Sequence, residues 1–461
     1  MKKITARVLI VCLLLLQILS LIACSSPLDD LPPDPDTSNG LLITPDSNSD
    51  SNDTPNTPPS SDTDTVVDED TDTDVDADTD TDVDEDVDTD VDADTDTEID
   101  DNEIEDLTPI PTGIKNIILI IGDGMGLQQI QAGQMVEGKN YSFTNWQNTV
   151  SNTDSVNTAG KVGATTDSAA GGTALATGVL TVNGYVGKDH TGKDLPTIMD
   201  TAKSLGKSTG IVTTDTLFGA TPAAFSAHSI SRQNTDEIVA SQIASGVDLL
   251  CGTTDTACTS QKSSIEAAGY TYCASYPKIA QTLMANKVYW QFPLASSSAY
   301  APRLADVSVH ALNFLNRDED GFVLMIEQAH IDKYAHNNDF ANMAKSVKSL
   351  NDTVEAILNW LGDRDDTAIF ITADHETGGL SVSLDNVYSH SYHVSTATDP
   401  YVVYYDFLSG SHTNQMVGVF VFGVTVDFSA CEYYRSETKI KNTDIHHIMT
   451  DILNNPTKYI P

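Results

Sequence analysis

The stretch with the most suggestive chemistry is residues 165–174, which contains one hydroxyl at the predicted start of a helix. Two glycines shortly before it predict a loop, whereas the small residues 169–177 predict a helix. We therefore expect Ser168 at or beside the first helical turn, where free N–H groups and the helix dipole favour anions. A hydroxyl there can attack a phosphorus centre and remain bound as a phosphoester. In the alternative interpretation, Asp167 or Ser168 only caps the helix, which is the commoner role of these residue types.

Side chains that can bind metal ions follow several apolar runs of the chain. The runs 116–121, 322–326 and 368–372 are wholly apolar or nearly so, as is typical of strands buried on both faces. Asp332 and His336 are four residues apart, so they share one face of a helical turn. Seven carboxylates and imidazoles follow the runs or lie close to them: Asp123, Glu327, Asp332, His336, Asp374, His375 and His412.

The ligand types divide these side chains into two kinds of metal site. Mixed carboxylate and imidazole groups suit zinc, whereas the oxygen groups Asp123, Thr221 and Glu327 suit magnesium. Any one of these residues alone has a commoner role as a cap or a surface group. Their grouping after buried strands favours a common site, because the carboxyl ends of strands are where α/β sheets bind ligands.

Strand patterns alternate with helix patterns from residue 113 to residue 461. The runs 210–214 and 417–422 predict further strands, and residues 340–361 carry apolar side chains at a helical period. Such alternation predicts one large α/β domain with a mainly parallel sheet.

Residues 1–24 have the features of an export signal. Three basic residues precede the apolar run 8–22, which is too short to cross a membrane comfortably. The run ends in Leu21-Ile-Ala-Cys24 and resembles a bacterial lipoprotein signal, whose cysteine becomes the lipidated first residue. We therefore expect an exported protein, held by Cys24 at the bacterial envelope on the periplasmic side or the cell surface. An ordinary signal with an incidental cysteine is the alternative.

Residues 25–112 are strongly acidic. They contain 32 Asp or Glu and no Lys or Arg, within a chain whose formal net charge is −43. Between residues 62 and 101 Asp alternates with Thr, Val or Ala, which predicts a disordered, extended spacer because like charges repel. This acidity argues against a nucleic-acid partner. Calcium binding remains an alternative role, although the Gly and closing Glu of calcium loops are missing.

The predicted folded domain has four cysteines, namely Cys251, Cys258, Cys273 and Cys431. In an exported protein this number predicts two disulfides, and the sequence leaves three pairings open. Cys251 with Cys258 is the most local choice.

The sequence resembles the alkaline phosphatase family over roughly residues 114–423. The resemblance rests on six motifs in the family's order: Gly122-Asp-Gly-Met-Gly, Thr166-Asp-Ser-Ala-Ala, Ala220-Thr-Pro-Ala-Ala, residues 327–336, Thr372-Ala-Asp-His and Gly410-Ser-His-Thr. It implies a three-layer α/β/α domain that hydrolyses phosphate monoesters through a phosphoserine, and it implies a homodimer.

The resemblance also implies a role for each site residue. Ser168 would be the nucleophile, and Arg232 would bind two phosphate oxygens. Two zinc ions and one magnesium ion would be held by three sets of residues: Asp332, His336 and His412 for the first zinc; Asp123, Asp374 and His375 for the second; Asp123, Thr221 and Glu327 for magnesium. The alternative within the superfamily is a phosphodiesterase or sulfatase-like hydrolase, but Ser168 and Arg232 speak against it. A calcium-dependent surface or adhesion protein is a second alternative.

The sequence departs from the family pattern in two places. Gly219 replaces the Asp or His that many relatives carry two residues before Thr221. We therefore predict a weak magnesium site and a Lys333 side chain that is freer to approach phosphate. Residues 376–410 are short for the inserted crown of the family, which puts its usual dimer contacts in doubt. His390 and His393 in this segment are predicted to be surface residues.

Overall fold

The structure is a computed structural model that describes residues 113–294, 302–396, 399–431 and 439–459. The predicted signal 1–24 with Cys24 and the predicted acidic spacer 25–112 lie outside these residues. Among the helices that are described, none is both long enough and apolar enough to span a bilayer.

A ten-stranded sheet forms the centre of the described domain. From edge to edge its strands are β17 (Ile440–Lys441), β2 (Gln147–Asn152), β16 (Val417–Phe422), β10 (Thr367–Thr372), β1 (Asn116–Gly122), β9 (Phe322–Gln328), β5 (Ser208–Thr213), β6 (Leu249–Gly252), β8 (Lys287–Gln291) and β7 (Tyr270–Cys273). The strands from β10 to β7 pair in parallel. β16 is antiparallel to both of its neighbours, so the sheet is mainly parallel, as predicted.

Helices cover both faces of this sheet. They are α1 (Leu127–Glu137), α2 (Ser168–Thr177), α3 (Ile198–Ser204), α4 (Ala220–Ala224), α5 (Thr235–Ala244), α6 (Thr256–Ser260), α7 (Lys262–Ala267), α8 (Leu304–Leu315), α9 (His330–His336), α10 (Phe340–Leu361) and α11 (Asn442–Asn454). Short 3₁₀ turns lie at Ser142–Asn145, Tyr276–Thr282, Phe428–Ala430 and Pro456–Tyr459.

The core has two layers because the apolar residues of each central strand alternate between the two faces. Ile118 and Ile120 of β1 pack with α1, α8 and α10, whereas Ile117 and Leu119 pack with α2, α3 and α11. A fully buried side chain of this size contributes about 1.5–3 kcal/mol to stability. The three-layer α/β/α architecture that the sequence predicts is therefore confirmed.

The four cysteines predicted to form two disulfides are free thiols in the structure. Cys251 and Cys273 both lie opposite Trp290 of β8, one on each neighbouring strand. Adjacent strands are about 4.8 Å apart, so these two cysteines are too far apart to bond. Cys258 and Cys431 pack in the core layer on the other face of the sheet. The most local pairing, Cys251 with Cys258, is therefore wrong because the sheet separates its partners.

The segment predicted to be short for a crown forms a small antiparallel sheet of three strands, β12 (Ser381–Ser383), β14 (Tyr401–Asp406) and β13 (His390–Val394). His390 is exposed and its Nδ1 lies 2.8 Å from Asp406 Oδ1. His393 is exposed as well. Both histidines are surface residues, as predicted.

Candidate active site

Ser168 is the first residue of α2, and Asp167 is its N-cap. The Asp167 carboxylate accepts a hydrogen bond of 2.9 Å from the backbone N–H of Ala170, an interaction worth about 1 kcal/mol to a helix. Asp167 is thus the cap, which leaves the hydroxyl of Ser168 available for other contacts. Ser168 is buried, and its Oγ donates towards Nε2 of His375 at 3.2 Å.

Glycines bring this helix and its neighbours unusually close together. A Cβ at Gly171 of α2 would lie 2.7 Å from the carbonyl oxygen of Asp374, so only glycine fits there. Gly124 has a φ of +70°, and a Cβ at this position would lie 2.8 Å from Oγ1 of Thr377. The glycines therefore allow the loops after β1 and β10 to meet the start of α2.

Three predicted ligands follow the central strands β1 and β10. Asp123 follows β1 directly, and Asp374 and His375 lie in the loop after β10. Nε2 of His375 is 3.5 Å from Asp123 Oδ1 and 3.4 Å from Asp374 Oδ2. Asp374 is oriented by its other oxygen, which accepts from the N–H groups of Gly124 and His375. The structure therefore brings the three residues of the predicted second zinc set together.

The three residues of the predicted first zinc set also converge. Asp332 and His336 lie on one face of α9, and His412 begins the two-residue strand β15 (His412–Thr413). Nε2 of His336 is 3.0 Å from Nε2 of His412, and Asp332 Oδ1 is within 3.5 Å of both nitrogens. A carboxylate oxygen of Asp332 also lies within 4.8 Å of ligand atoms of Asp123 and His375, so Asp332 belongs geometrically to both sets. The sequence motifs did not indicate this shared position.

Two of the three histidines are oriented by a hydrogen bond between Nδ1 and a backbone carbonyl oxygen. Nδ1 of His412 is 2.9 Å from the carbonyl oxygen of Thr166, and Nδ1 of His336 is 2.7 Å from that of Gly410. A carbonyl oxygen can only accept, so both Nδ1 atoms carry hydrogen and the Nε2 atoms are the ones left to bind a metal ion. We call Asp332, His336, His375 and His412 the histidine side of the site.

The donor atoms of this region fit a bound cation. Oδ1 of Asp123 and Oδ2 of Asp374 are buried without a hydrogen-bond partner among the described residues. Burial raises the pKa of Asp123, and the charges of Asp374 and Asp332 raise it further. Burial lowers the pKa of His375 to about 3, so its ring is neutral at ordinary pH. Neutral imidazole nitrogens facing buried carboxylate oxygens are the ligand set of a zinc site.

Two of the three predicted magnesium residues, Thr221 and Glu327, form a second region together with Thr213, and we call these three residues the oxygen side. The third predicted residue, Asp123, lies between the two regions, since after burial and the charges of Asp374 and Asp332 the charge of Glu327 also raises its pKa. Glu327 lies inside β9, and its carboxylate accepts from the hydroxyl of Thr213 on β5. Thr221 lies in the short helix α4, and its buried hydroxyl has no partner in the described part of the chain. Burial and the nearby charge of Asp215 raise the pKa of Glu327. Oxygen atoms without imidazole suit magnesium.

Arg232 lies beside the start of α2. Its Nη1 is 3.2 Å from Oδ2 of Asp167, and its backbone N–H donates to the carbonyl oxygen of Gly184 at 2.7 Å. The positive charge of the guanidinium partly opposes the rise that burial and neighbouring carboxylates cause in the pKa of Asp123. The same Asp167 therefore caps the helix and orients this arginine.

Three functional residues were missed from the sequence. Glu376 and Thr377 follow His375 directly. Thr377 contacts Asp332 and His375, whereas Glu376 accepts from the hydroxyl of Thr413, the residue after His412. Asp215 follows β5 and forms an ion pair with Lys333, with 2.5 Å between Oδ1 and Nζ. The expectation of a freer Lys333 is therefore wrong, because a carboxylate outside the known motifs binds it. The dipeptide Thr214-Asp215 at a strand end was the available signal.

The sequence profile of the family described as alkaline phosphatase matches residues 114–259 and 284–453. The chain belongs to the alkaline phosphatase family. Among curated relatives, "Alkaline phosphatase 4" of Bacillus subtilis is 33% identical over 293 residues, which cover 58% of this chain and 63% of that protein. The alkaline phosphatase of Escherichia coli is 28% identical over 338 residues, covering 59% of this chain and 72% of that protein.

Solved alkaline phosphatases have a similar fold. The enzyme of the Antarctic bacterium TAB5 aligns with a TM-score of 0.62 at 24% identity, covering 74% of this chain and 98% of that one. The cold-active enzyme of a Shewanella species aligns with a TM-score of 0.61 at 26% identity, covering 73% and 99%. The described domain therefore has the alkaline phosphatase fold.

Proposed function

We propose that this protein hydrolyses phosphate monoesters through a phosphoserine at Ser168, with two zinc ions and one magnesium ion as cofactors. The observation that carries the proposal is the position of Ser168. Its hydroxyl lies at the N-terminus of α2, 3.2 Å from Nε2 of His375, which belongs to one of the two candidate metal-ligand groups. The preceding residue, Asp167, pairs with Arg232.

The start of α2 supplies an anion-binding environment for the reaction. The backbone N–H groups of the first turn and the helix dipole favour a phosphate group that approaches Ser168. Oγ of Ser168 forms a bond to phosphorus as the bond from phosphorus to the substrate alcohol breaks, and the alcohol leaves with a proton. Water then attacks the phosphoserine, so the bond from phosphorus to Oγ breaks and inorganic phosphate is released.

Asp332, His336 and His412 would hold one zinc, and Asp123, Asp374 and His375 the other, with Asp332 near both. Asp123, Thr221 and Glu327 would hold magnesium. Bound zinc would supply Lewis-acid stabilisation and would lower the pKa of a coordinated hydroxyl or water. A variant of the TAB5 alkaline phosphatase has been solved with Mg bound in its M3 site, which supports magnesium as the third cation.

Arg232 favours monoesters over diesters and sulfate esters. Its planar guanidinium matches two oxygens of a phosphate group, and a monoester dianion has terminal oxygens to spare for that contact. A diester has fewer such oxygens, and a sulfate ester carries less charge. Turnover of an aryl phosphate, an aryl phosphodiester and an aryl sulfate, each with and without chelator, distinguishes these classes. Dominant turnover of the diester or the sulfate would overturn the proposal.

The decisive variant is Ser168→Ala. It should abolish the phosphoenzyme and most turnover while leaving the fold intact, because the Asp167 cap of α2 remains. Rapid quench with a labelled aryl phosphate measures the burst of phosphorylation, and circular dichroism checks the fold. Ser204→Ala, an exposed serine at the end of α3, is the control and should retain the burst. An unchanged burst in Ser168→Ala would exclude Ser168 as the nucleophile.

We also propose that lipid on Cys24 anchors the protein to the bacterial envelope and that residues 25–112 act as a spacer. The motif Leu21-Ile-Ala-Cys24 and the acidic run support this proposal. The Cys24→Ser protein should leave the membrane fraction of cells that express it. Its retention in that fraction would count against the anchor.

A further inference from the structure

Asp215 is a charged residue at the oxygen side that no family motif includes. It follows β5, and its Oδ1 accepts from Nζ of Lys333 at 2.5 Å and from the N–H of Thr216 at 2.8 Å. The Asp215 side chain is 24% exposed and that of Lys333 44%. The pair therefore lies at the rim of the site, where Asp215 is held by two donors.

The absence of a side chain at Gly219 leaves room for this carboxylate. A Cβ at position 219 would lie 2.8 Å from Oδ2 of Asp215 and 3.0 Å from the carbonyl oxygen of Thr216. The φ of Gly219 is −50°, so any residue could adopt this backbone conformation and space alone is limiting. Position 219 and Asp215 therefore compete for the same volume.

Asp215 is also linked to Glu327 through Thr213. Its backbone N–H donates to Oγ1 of Thr213 at 2.9 Å, and the hydroxyl of Thr213 donates to Glu327. The charge of Asp215 is a main reason, after burial, for the raised pKa of Glu327. Near these groups the buried hydroxyl of Thr221 and Oδ1 of Asp123 have no hydrogen-bond partner within the described ranges.

We propose that Asp215 is a positioning residue of the oxygen side. Its carboxylate holds the Lys333 ammonium at the rim and adds negative charge beside Glu327, which favours a hydrated divalent cation there. The assignment rests on the proposed function, because it concerns the third cation and the phosphate of that reaction. It replaces the prediction that Gly219 weakens the magnesium site, since the missing carboxylate is supplied from four residues earlier.

The proposal predicts that Asp215→Asn weakens the binding of magnesium and strengthens the inhibition by inorganic phosphate. Loss of the negative charge should weaken magnesium binding by about 10-fold. This is the lower end of the loss in metal affinity that follows when a group supporting a metal ligand is removed. The released Lys333 ammonium should strengthen inhibition by inorganic phosphate severalfold, because its charge is no longer neutralised. A merely structural role would weaken both ligands together.

Three further variants of the full-length protein complete the experiment. Gly219→Ala should displace the Asp215 carboxylate and shift both constants in the same directions as Asp215→Asn. The double variant Asp215→Ser/Gly219→Asp returns a carboxylate to the same volume and should restore magnesium binding towards the parent value. Asp451→Asn is the control, because it removes the charge of another Asp–Lys ion pair, that of Asp451 with Lys458. It should change neither the affinity for magnesium nor the inhibition by phosphate.

Magnesium binding is measured in zinc-loaded protein by the shift of melting temperature with MgCl₂ and by metal content after dialysis. Inhibition by phosphate is measured with an aryl phosphate. Unchanged magnesium affinity in both Asp215→Asn and Gly219→Ala, or parallel weakening of magnesium and phosphate, would overturn the role of Asp215. If the parent protein does not turn over phosphate esters, the proposed function fails, while the melting shift with MgCl₂ still tests Asp215.

Discussion

The histidine side and the oxygen side of the site differ in the chemical groups that could bind a cation. On the histidine side three rings present Nε2 atoms to the site, and hydrogen bonds at Nδ1 fix each ring. On the oxygen side a buried carboxylate and two hydroxyls gather without imidazole, and an ammonium lies at their rim. The comparison shows that donor groups containing imidazole and donor groups of oxygen alone are kept apart within one site, which agrees with the proposed division between zinc and magnesium.

Electrostatics differ between the two sides as well. Burial acts to raise the pKa of Asp332, but the hydrogen bonds with His412 and Thr377 lower it below the ordinary value. Burial raises the pKa of Glu327, and the charges of Asp215 and Asp374 add to the rise. The histidine side thus stabilises its carboxylate with protein groups.

The largest effect should come from the histidine side. His375→Ala removes a predicted zinc ligand and the nitrogen nearest Ser168, so kcat/KM should fall about 1,000-fold, equal to about 4 kcal/mol of lost transition-state stabilisation. Zinc content after dialysis should fall by about one ion per chain while magnesium binding persists. His393→Ala, an exposed histidine of the small sheet, should leave both values unchanged. Full zinc content in His375→Ala would contradict the division into two sides.

A smaller effect is expected from the oxygen side. Glu327→Gln keeps the shape of the side chain but removes its charge, so magnesium should bind about 10- to 100-fold more weakly. Turnover at low magnesium should fall accordingly and should recover as MgCl₂ is added. Metal analysis should show zinc unchanged in this variant. Zinc loss equal to the loss of magnesium would show that the two sides are one coupled unit.

The sequence predicted much of this architecture because its signals are local. The buried strands β1, β9 and β10 read as apolar runs, and the bounds predicted for α10 and β16 match the structure. Ser168 was placed correctly because glycines and a capping residue mark the start of a helix. Asp215 was missed because its role depends on a space at Gly219 and on Lys333, which is 118 residues away. The prediction of two disulfides was not confirmed, because the number of cysteines does not indicate which face of the sheet each cysteine occupies.

Glu376 connects the segment after His375 with the strand that carries His412. Loss of its charge should have an intermediate effect on stability and on kcat/KM. The buried carboxylate accepts from Gln129 at 2.6 Å, from the N–H groups of Gly379 and Leu380, and from the hydroxyl of Thr413 beside His412. Glu376→Gln should lower the free energy of unfolding by about 2 kcal/mol, as expected when charged hydrogen bonds are lost in a buried position.

The same variant should reduce kcat/KM about 10-fold, in line with loss of outer support of a metal ligand. Denaturant titration of the zinc-loaded protein measures the first effect and steady-state kinetics the second. Glu266→Gln is the control. It breaks an exposed ion pair with Lys262 and should lower the free energy of unfolding by less than about 0.5 kcal/mol. Equal destabilisation by the two variants would rule out the connecting role of Glu376.

The smallest effect should come from Thr377, which joins two ligands of the histidine side through one hydroxyl. Its O–H donates to Oδ1 of Asp332 at 2.5 Å, so its oxygen is left to accept from Nδ1 of His375 at 3.2 Å. This chain of two hydrogen bonds fixes the tautomer of His375 that presents an Nε2 lone pair to the site. Thr377→Val keeps the shape and removes both bonds, whereas Thr377→Ser keeps the hydroxyl. We expect kcat/KM to fall about fivefold in the valine variant, equal to about 1 kcal/mol, and to stay near the parent value in the serine variant. Zinc titration should show weaker zinc binding in the valine variant alone. If serine and valine are equally impaired, the methyl group of Thr377 matters and the hydroxyl does not orient His375.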